Sequence, residues 1–309
     1  MIQYALRRLL QMVPVLLGAT ILIFALVFAL PGDPIQAMAG GQRTIPEPVA
    51  AALRERYNLN DPLWLQYLKY MGGLLQGDFG QDFSGRAVSD IIASSWPTTV
   101  RLAITAWLIE IVVGIPLGIW AGLRQGRLPD ALVAIVTTLV FAVPIFVLGY
   151  TAQIVLGVNL GWFPVAGTSQ GWPTSYLLPA TILGLLGLAT TARLTRTSLI
   201  ENLQADYVRT AVAKGIPRRR IIRHHVLRNS LVPVVTYLGI DLGFLLGGAV
   251  IIEGIFNLPG LGYEIFQAIQ QQNGPVVVGI STLLVAIFII VNLVVDLLYG
   301  LLDPRTRHV

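Results

Sequence analysis

Residues 277–302 read VVGISTLLVAIFIIVNLVVDLLYGLL, and Asp296 is the only charged side chain among them. A run of about 20 predominantly apolar residues is long enough to cross the hydrocarbon core of a bilayer as an α-helix. Five more runs of this kind precede it, at 9–30, 97–122, 131–157, 177–192 and 231–252. The sequence therefore predicts an all-α integral membrane protein with about six transmembrane helices.

The composition points the same way. Of the 309 residues, 55% are hydrophobic and only 12% are charged, and the mean hydropathy is +0.71. Soluble domains carry roughly 25% charged residues. The chain has no cysteine, which excludes disulfides, thiolate metal sites and a cysteine nucleophile. We therefore expect lipid to be the main solvent of this protein.

The first apolar run could instead be the core of a cleaved signal peptide, because Arg7 and Arg8 precede it and the AMA sequence at 37–39 resembles a cleavage site. The apolar core of a signal peptide is about 7–15 residues long, and this run is longer. A turn at 31–34 also separates the run from that site. We predict an uncleaved anchor.

The basic residues predict the orientation of the spans. An even number of spans places both termini on one side, and loops on the cytoplasmic side carry an excess of Lys and Arg. Nine such residues lie between Arg193 and Arg228, whereas the loops near 158–176 and 253–276 have none. Both termini are therefore predicted to be cytoplasmic. The net charge of +5 then reflects basic residues that orient the spans. We expect these residues to contact lipid head groups and not nucleic acid.

We interpret residues 1–309 as a single transmembrane domain with two sizeable segments outside the membrane. In the extracytoplasmic segment, 31–96, Asp61-Pro62 is a helix-start signal and Gly77 a helix end. Apolar residues follow that start at helical spacing and are expected to pack on the outer ends of the spans. They are Trp64, Leu65, Leu68, Met71 and Leu75.

The cytoplasmic segment, 193–230, is polar and basic but shows signals of ordered helices. The fourth span is predicted to continue to about Leu203, and a short helix follows from Asp206 to Lys214. Gly215 stands where a helix C-cap needs a residue tolerant of positive φ, and Pro217 begins a further helix. The run of small residues TAVA at 210–213 leaves a smooth helix face, which suits insertion into a groove on another protein.

This segment is also where the sequence resembles a known family. Residues 205–215, ADYVRTAVAKG, and 228–233, RNSLVP, resemble the EAA loop of ABC importer permeases, and more narrowly the dipeptide/oligopeptide/nickel branch. The resemblance covers essentially the whole chain. It is supported by PGDP at 31–34, GDFG at 77–80, PTT at 97–99, EGIF at 253–256 and DPR at 303–305.

The chain departs from the general pattern of this superfamily at two points. Where the pattern has Glu-Ala-Ala, this chain has Arg209, Thr210 and Ala211, which is similar to the peptide branch. The later Ile-x-Leu-Pro is not at its usual distance from Gly215. Residue roles are therefore carried over position by position up to Gly215 and more loosely after it.

The resemblance implies a type I ABC importer permease in the inner or plasma membrane of a bacterium. Its partners would be a second homologous permease subunit, two cytoplasmic ABC ATPases and an extracytoplasmic substrate-binding protein. The cytoplasmic segment would be the coupling loop that docks on an ATPase. By analogy, docking is assigned to Tyr207, Arg209, Thr210, Ala211, Lys214 and Gly215. Ala211→Trp is expected to block docking and uptake while leaving membrane insertion normal.

The same resemblance implies a transporter subunit with no catalytic residue, metal or cofactor of its own, since ATP and Mg²⁺ would bind the partner ATPases. The residues agree with this, because the Gly-rich stretch LGGA at 246–249 lies in an apolar span and lacks the Lys-Ser/Thr of a phosphate-binding loop. Small residues in the fifth span are predicted to allow close helix packing. They are Gly239, Gly243, Gly247 and Gly248.

Two acidic residues fall near the middle of predicted spans, Glu110 in the second and Asp241 in the fifth. A charge inside the membrane is costly unless it is paired or hydrated. Either Asp241 or Glu110 lines the translocation path, where it could sense the ammonium end of a peptide, or they form hydrogen bonds between helices or to the partner permease. Asp296, nearer the end of the sixth span, is interpreted as structural.

Two other classes of membrane protein agree less well with the sequence. A secondary transporter would be expected to show internal repeats, and none is evident. A membrane-embedded enzyme would need convergent catalytic groups, and the three histidines, His224, His225 and His308, do not supply them. Within the family, no histidine lies in a span to ligate nickel, which favours dipeptides and oligopeptides as substrates. Import of nickel or a nickel chelate stays the alternative.

Overall fold

The computed structural model describes residues 2–29, 35 and 45–302, and within them it is built of helices without a β-sheet. Predictions for the PGDP and DPR motifs and for His308 fall outside these residues, as does the side chain of Asp296. The α-helices are α1 Ile2–Phe28, α2 Glu47–Arg56, α3 Leu63–Leu74, α4 Val88–Ile109, α5 Ile115–Leu123, α6 Leu128–Ala142, α7 Ile145–Ala152, α8 Thr174–Leu183, α9 Leu185–Gln204, α10 Asp206–Ala213, α11 Arg218–Ile221, α12 Leu227–Ser230, α13 Val232–Ile255, α14 Leu261–Gln270 and α15 Gly274–Leu302.

The helices agree with six predicted spans only if bent pairs are counted as single spans. Three continuous helical stretches are long and apolar enough to cross a membrane, namely Arg7–Phe28, Val88–Leu123 and Gly274–Val295. Three further candidates are bent pairs of helices, which brings the total to as many as six. The second span is continuous because a π-helical turn, Glu110–Gly114, joins α4 to α5.

The third predicted span differs most from expectation. The sequence predicted one helix over 131–157, but α6 and the helix that begins at Ile145 meet at 101°. Pro144 causes the break, because proline lacks an N–H and disfavours helical backbone at the preceding residue. Val143 is accordingly extended, with φ −108° and ψ 127°.

The fourth predicted span is also bent, by 60° between α8 and α9. As predicted, its second half continues well past the apolar run, to Gln204. The helical stretch Arg218–Ser230 meets the first part of α13, Val232–Gly247, at 41°.

In the extracytoplasmic segment, the predicted packing of the apolar stripe is wrong for three residues. Trp64, Leu68 and Leu75 are 64%, 56% and 86% exposed. Helix α3 instead contacts α1 through its tyrosines: the Tyr67 and Thr20 hydroxyls are 2.9 Å apart, and the Tyr67 ring packs edge-on to Phe24. Tyrosine can bury its ring and still form a hydrogen bond. The tyrosine face of α3 therefore packs on α1 in place of the aliphatic face.

Helices α5 and α9 approach each other closely along a seam of glycines. A Cβ added at Gly118 would lie 2.5 Å from the Ala192 carbonyl oxygen, and one at Gly122 would lie 2.9 Å from the Leu199 side chain. This G-x-x-x-G-x-x-x-G spacing places Gly114, Gly118 and Gly122 on one face, which lets the backbones touch. The sequence analysis did not identify this seam.

The predicted close packing of the fifth-span glycines is confirmed in part. A Cβ at Gly239 would lie 2.7 Å from Val295, and one at Gly243 would lie 3.2 Å from Phe288, so both face α15. Gly247 has no atom within 4 Å of such a Cβ and therefore does not pack closely. Gly248 lies outside the residues whose packing is described.

Candidate functional site

The predicted coupling loop is a short helix closed at both ends by backbone geometry. Ala205 is extended, with φ −67° and ψ 150°, and separates α9 from α10. At the other end Gly215 has φ +71°, a left-handed conformation that glycine adopts without strain. The Ile216 N–H donates to the Ala211 carbonyl at 3.2 Å, which closes the last turn as a C-cap. The order of helices predicted from the sequence is confirmed here.

The loop is fastened to the rest of the chain by a small apolar cluster. Leu199, Ala211, Ile221 and Val226 are all buried and pack together. The hydroxyl of Tyr207 donates to Asn202 Oδ1 at 2.8 Å and so ties α10 to the end of α9. Because α10 is held on α9, a displacement of one displaces the other.

The structure separates Ala211 from the other residues assigned to docking. Arg209, Thr210, Lys214 and Gly215 are exposed and Tyr207 is 36% exposed, whereas Ala211 is only 8% exposed and faces the interior cluster. The exposed face is completed by Val212 and Ala213. A bulky residue at 211 would therefore disrupt the packing of this apolar cluster before it affected any contact with a partner.

Charge on the exposed face of α10 is sparse. Arg209 lies 3.4 Å from Asp206, and both side chains are largely exposed. An exposed pair of this kind contributes little to stability. The two side chains are therefore free to rearrange when a partner approaches.

Of the two in-span acids, Glu110 is fully buried and Asp241 is half-buried. Glu110 lies in the π-helical turn, directly against Gly187 of α9: a Cβ there would be 2.3 Å from Oε1. Asp241 Oδ1 accepts a hydrogen bond from the Tyr237 hydroxyl at 2.9 Å. Glu110 therefore contacts α9, whereas the printed bond of Asp241 lies within α13.

Two arginines of α9 have interactions that sequence reasoning missed, since they were counted only as topology signals. Arg196 forms a bidentate pair with Asp130 of α6, with an Nη2–Oδ2 distance of 2.9 Å. Arg193 donates to Thr137 and Thr138 at 2.8 and 2.6 Å and lies over the Phe141 ring. These bonds fix α6 to α9.

Sequence reasoning also missed the role of Glu253, near the C-terminal end of α13. Its fully buried carboxylate accepts hydrogen bonds from the Thr99 hydroxyl at 2.7 Å and from the Gly262 and Tyr263 N–H groups at 2.7 and 3.1 Å. The Thr99 oxygen in turn accepts from the Leu261 N–H at 2.8 Å. The hydrogen bond between Thr99 and Glu253 thus joins two of the sequence motifs, PTT at 97–99 and EGIF at 253–256.

No group of three or more His, Asp or Glu side chains in the described part of the chain could hold a metal ion. The described residues present one exposed short helix, α10, attached to helices that are bonded to one another. This arrangement suits transmission of movement.

Comparison with known proteins gives matches along nearly the whole chain. A family model described as "Binding-protein-dependent transport system inner membrane component" matches residues 114–308. A second, described as "Binding-prot-dependent transport system membrane comp, N-term", matches residues 1–103.

Three relatives are 38% identical to this chain. The glutathione transport system permease protein GsiC of Escherichia coli (strain K12) aligns over 309 residues, and the alignment covers 100% of both chains. GsiC of Salmonella typhimurium aligns over the same length and coverage. The di/tripeptide transport system permease protein DppB of Pseudomonas aeruginosa aligns over 338 positions, with 100% of this chain and 99% of DppB covered.

Proposed function

Because the chain belongs to the family of binding-protein-dependent transport system inner membrane components, we propose that it forms half of the translocation path of an ATP-driven peptide importer. The chain is a multi-pass inner-membrane permease subunit of an ABC importer and not an enzyme. It acts within a complex with other subunits. The substrate, the identity of those subunits and the residues that contact them are the substance of the proposal.

The observation that carries the proposal is the exposed helix α10, held rigidly on the end of a long helix that enters the apolar bundle. A short helix presented in this way fits a groove on a cytoplasmic protein. We assign that groove to an ABC ATPase, with Tyr207, Arg209, Thr210, Lys214 and Gly215 in contact and Ala211 supporting them from behind. ATP and Mg²⁺ bind the ATPases, and this subunit holds no cofactor.

The remaining partners follow from the same assignment. One permease offers one docking helix, so two ATPases require a second, homologous permease subunit. A substrate-binding protein delivers the substrate to the outer face. Residues 1–309 act as one domain with both termini in the cytoplasm, which is supported by the basic residues of 193–230 and by the lack of Lys and Arg in 158–176 and 253–276.

Peptides are the proposed substrate class. The relatives described above are permeases for glutathione and for di- and tripeptides, all of which have an ammonium end. Asp241 is the better candidate for the path because it is half-buried on α13, whereas Glu110 is enclosed in this structure. We retain Glu110 as the second candidate for the path. Nickel import is the second candidate, and the names of these relatives do not favour it.

The mechanical link runs through α9. Closure of the ATPases would move α10, and α9 would follow because Tyr207 and the apolar cluster join them. Because α5 packs closely on α9 along the glycine seam, α5 would move with α9. The Arg196–Asp130 pair would make α6 move with them. Several bundle helices therefore shift as one body when the docking helix moves.

The test is uptake in a strain that lacks this gene and in the complemented strain. Labelled dipeptides, tripeptides, pentapeptides, glutathione and nickel are supplied separately. We expect uptake of one or more peptides to be lost and restored, with nickel uptake unchanged. Loss of nickel uptake alone would overturn the substrate class and leave the family assignment intact.

A further inference from the structure

Arg101 is a charged residue on a helix of span length. It lies within Val88–Leu123, one of the continuous stretches that are apolar enough to cross a membrane. Its side chain is exposed and has no hydrogen bond or ion pair with the described residues. An arginine in such a segment is costly unless it faces water or binds an anion. An anion that binds Arg101 therefore comes from outside the described part of the chain.

The other basic residues on this side of the predicted membrane are bonded. Between residues 45 and 100, every described Lys and Arg donates a hydrogen bond to a side-chain oxygen, at 2.6 to 3.2 Å. They are Arg54, Arg56, Lys69 and Arg86. The loops at 158–176 and 253–276 have no Lys or Arg. On the side that we propose to be extracytoplasmic, Arg101 is thus the one cation among the described residues that has no partner.

Arg101 lies at the level where the proposed orientation places the extracytoplasmic surface of the bilayer. Arg124 follows the opposite end of the same span. At a rise of 1.5 Å per residue, the two arginines are about 35 Å apart along the helix. The hydrocarbon core of a bilayer is about 30 Å thick. With Arg124 at the cytoplasmic surface, Arg101 is therefore at the other surface.

The exposed face of α4 changes from polar to apolar at Arg101. On the N-terminal side Ser94 is exposed, and the exposed Pro97 has no N–H to bond the carbonyl one turn before it. On the C-terminal side the same face presents Ile104 and Leu108, each 44% exposed. Arg101 is therefore the last polar side chain of this face before the apolar part of the span.

An exposed aromatic ring lies one helical turn from Arg101. The Trp172 indole N–H donates to the Thr105 hydroxyl at 3.1 Å, and that hydroxyl donates to the Arg101 carbonyl at 2.6 Å. Trp172 belongs to the loop at 158–176 and is 57% exposed. This loop therefore brings an apolar surface close to an unpaired guanidinium group.

We propose that Arg101 binds the carboxylate group of the imported substrate at the entrance of the translocation path. The inference rests on the proposed function, import of peptides. A guanidinium group has parallel N–H donors that match the two oxygens of a carboxylate. Di- and tripeptides and glutathione, which the names of the relatives mention, all contain a carboxylate. The Trp172 ring offers a surface for an apolar side chain of the same peptide.

A lipid phosphate or a carboxylate of another subunit has similar chemistry, so the test changes the carboxylate of the substrate itself. The complete importer is reconstituted in proteoliposomes with its binding protein. Initial uptake rates are measured for a dipeptide and for the same dipeptide with a C-terminal amide. The acid preference is the ratio of their kcat/KM values. Selection by the binding protein cancels when this preference is compared between variants, because the binding protein is the same.

Arg101→Gln should lower kcat/KM for the acid about tenfold and leave the amide unchanged, as expected for the loss of a charged hydrogen bond. Arg127→Gln is the matched control and should keep the wild-type preference, because Arg127 is exposed beyond the opposite end of the span. An equal loss for acid and amide would assign Arg101 to lipid or to another subunit and overturn the proposal. Unchanged uptake of both would also overturn it.

Arg101→Lys keeps the test decisive if Arg101→Gln does not assemble. Lysine retains the charge but lacks the paired donors, so the acid preference should fall several-fold. A preference equal to that of wild type would contradict binding by the guanidinium group. If wild type imports neither the acid nor the amide and no other peptide, the proposed function itself fails, and this inference with it.

Discussion

The α-carbon of Gly187 faces the carboxyl group of Glu110 with no room for a side chain between them. A Cβ built there would lie 2.3 Å from Oε1 and 2.4 Å from the carboxyl carbon. Glu110 can occupy the interior of the bundle only because residue 187 is glycine, so the two positions constrain each other.

Gly187→Ala should therefore destabilise the importer by displacing Glu110. Overpacking a close-packed interior costs about 1–3 kcal/mol. A lower midpoint of thermal unfolding of the purified complex would measure it. Gly247→Ala is the control and should be near neutral, because nothing lies within 4 Å of its Cβ. Equal melting of the two variants would show that the contact does not constrain the fold.

Bulky substitutions on the two faces of α10 should impair different properties, ATPase docking for the exposed face and thermal stability for the buried face. Ala213→Trp is exposed and should leave the permease folded while lowering both co-purification of the ATPases and peptide uptake. Ala211→Trp should lower the thermal stability of the permease itself, because it overfills the cluster with Leu199 and Ile221. Intact stability with lost uptake in Ala211→Trp would instead favour direct docking by this residue.

Removal of Glu253 should loosen the loop that follows α13. Glu253→Ala leaves the buried Gly262 and Tyr263 N–H groups without acceptors, at about 1–3 kcal/mol for each group. Hydrogen–deuterium exchange over 257–263 should rise markedly. Thr99→Val should have a smaller effect, and Glu264→Gln, outside these bonds, should leave exchange in this loop unchanged.

The Arg196–Asp130 pair should show measurable coupling. Asp130 is nearly buried and Arg196 is partly exposed. The loss of either partner therefore leaves the charge of the other without its partner. Asp130→Asn and Arg196→Gln should each lower the thermal stability, and the double variant should cost less than their sum by roughly 1 kcal/mol. Strict additivity would indicate that the pair does not fasten α6 to α9.

The sequence by itself determined that lipid surrounds the protein, the class of fold and the position of helix α10. Apolar runs of span length leave few alternatives to transmembrane helices, and Asp206, Gly215 and Pro217 are local signals that act within a turn of their own position. The bend at Pro144 could have been predicted from the same chemistry, since proline removes a helical hydrogen bond.

Tertiary structure alone decided which faces meet. Which of two apolar stripes of α3 packs on α1, that Ala211 points inward, and that Thr99 bonds Glu253 across the sequence all depend on how the helices are rotated against each other. Hydropathy does not encode that rotation in a chain whose helices are apolar on most sides. The seam of Gly114, Gly118 and Gly122 and the contact between Glu110 and Gly187 arise only once the backbones have approached.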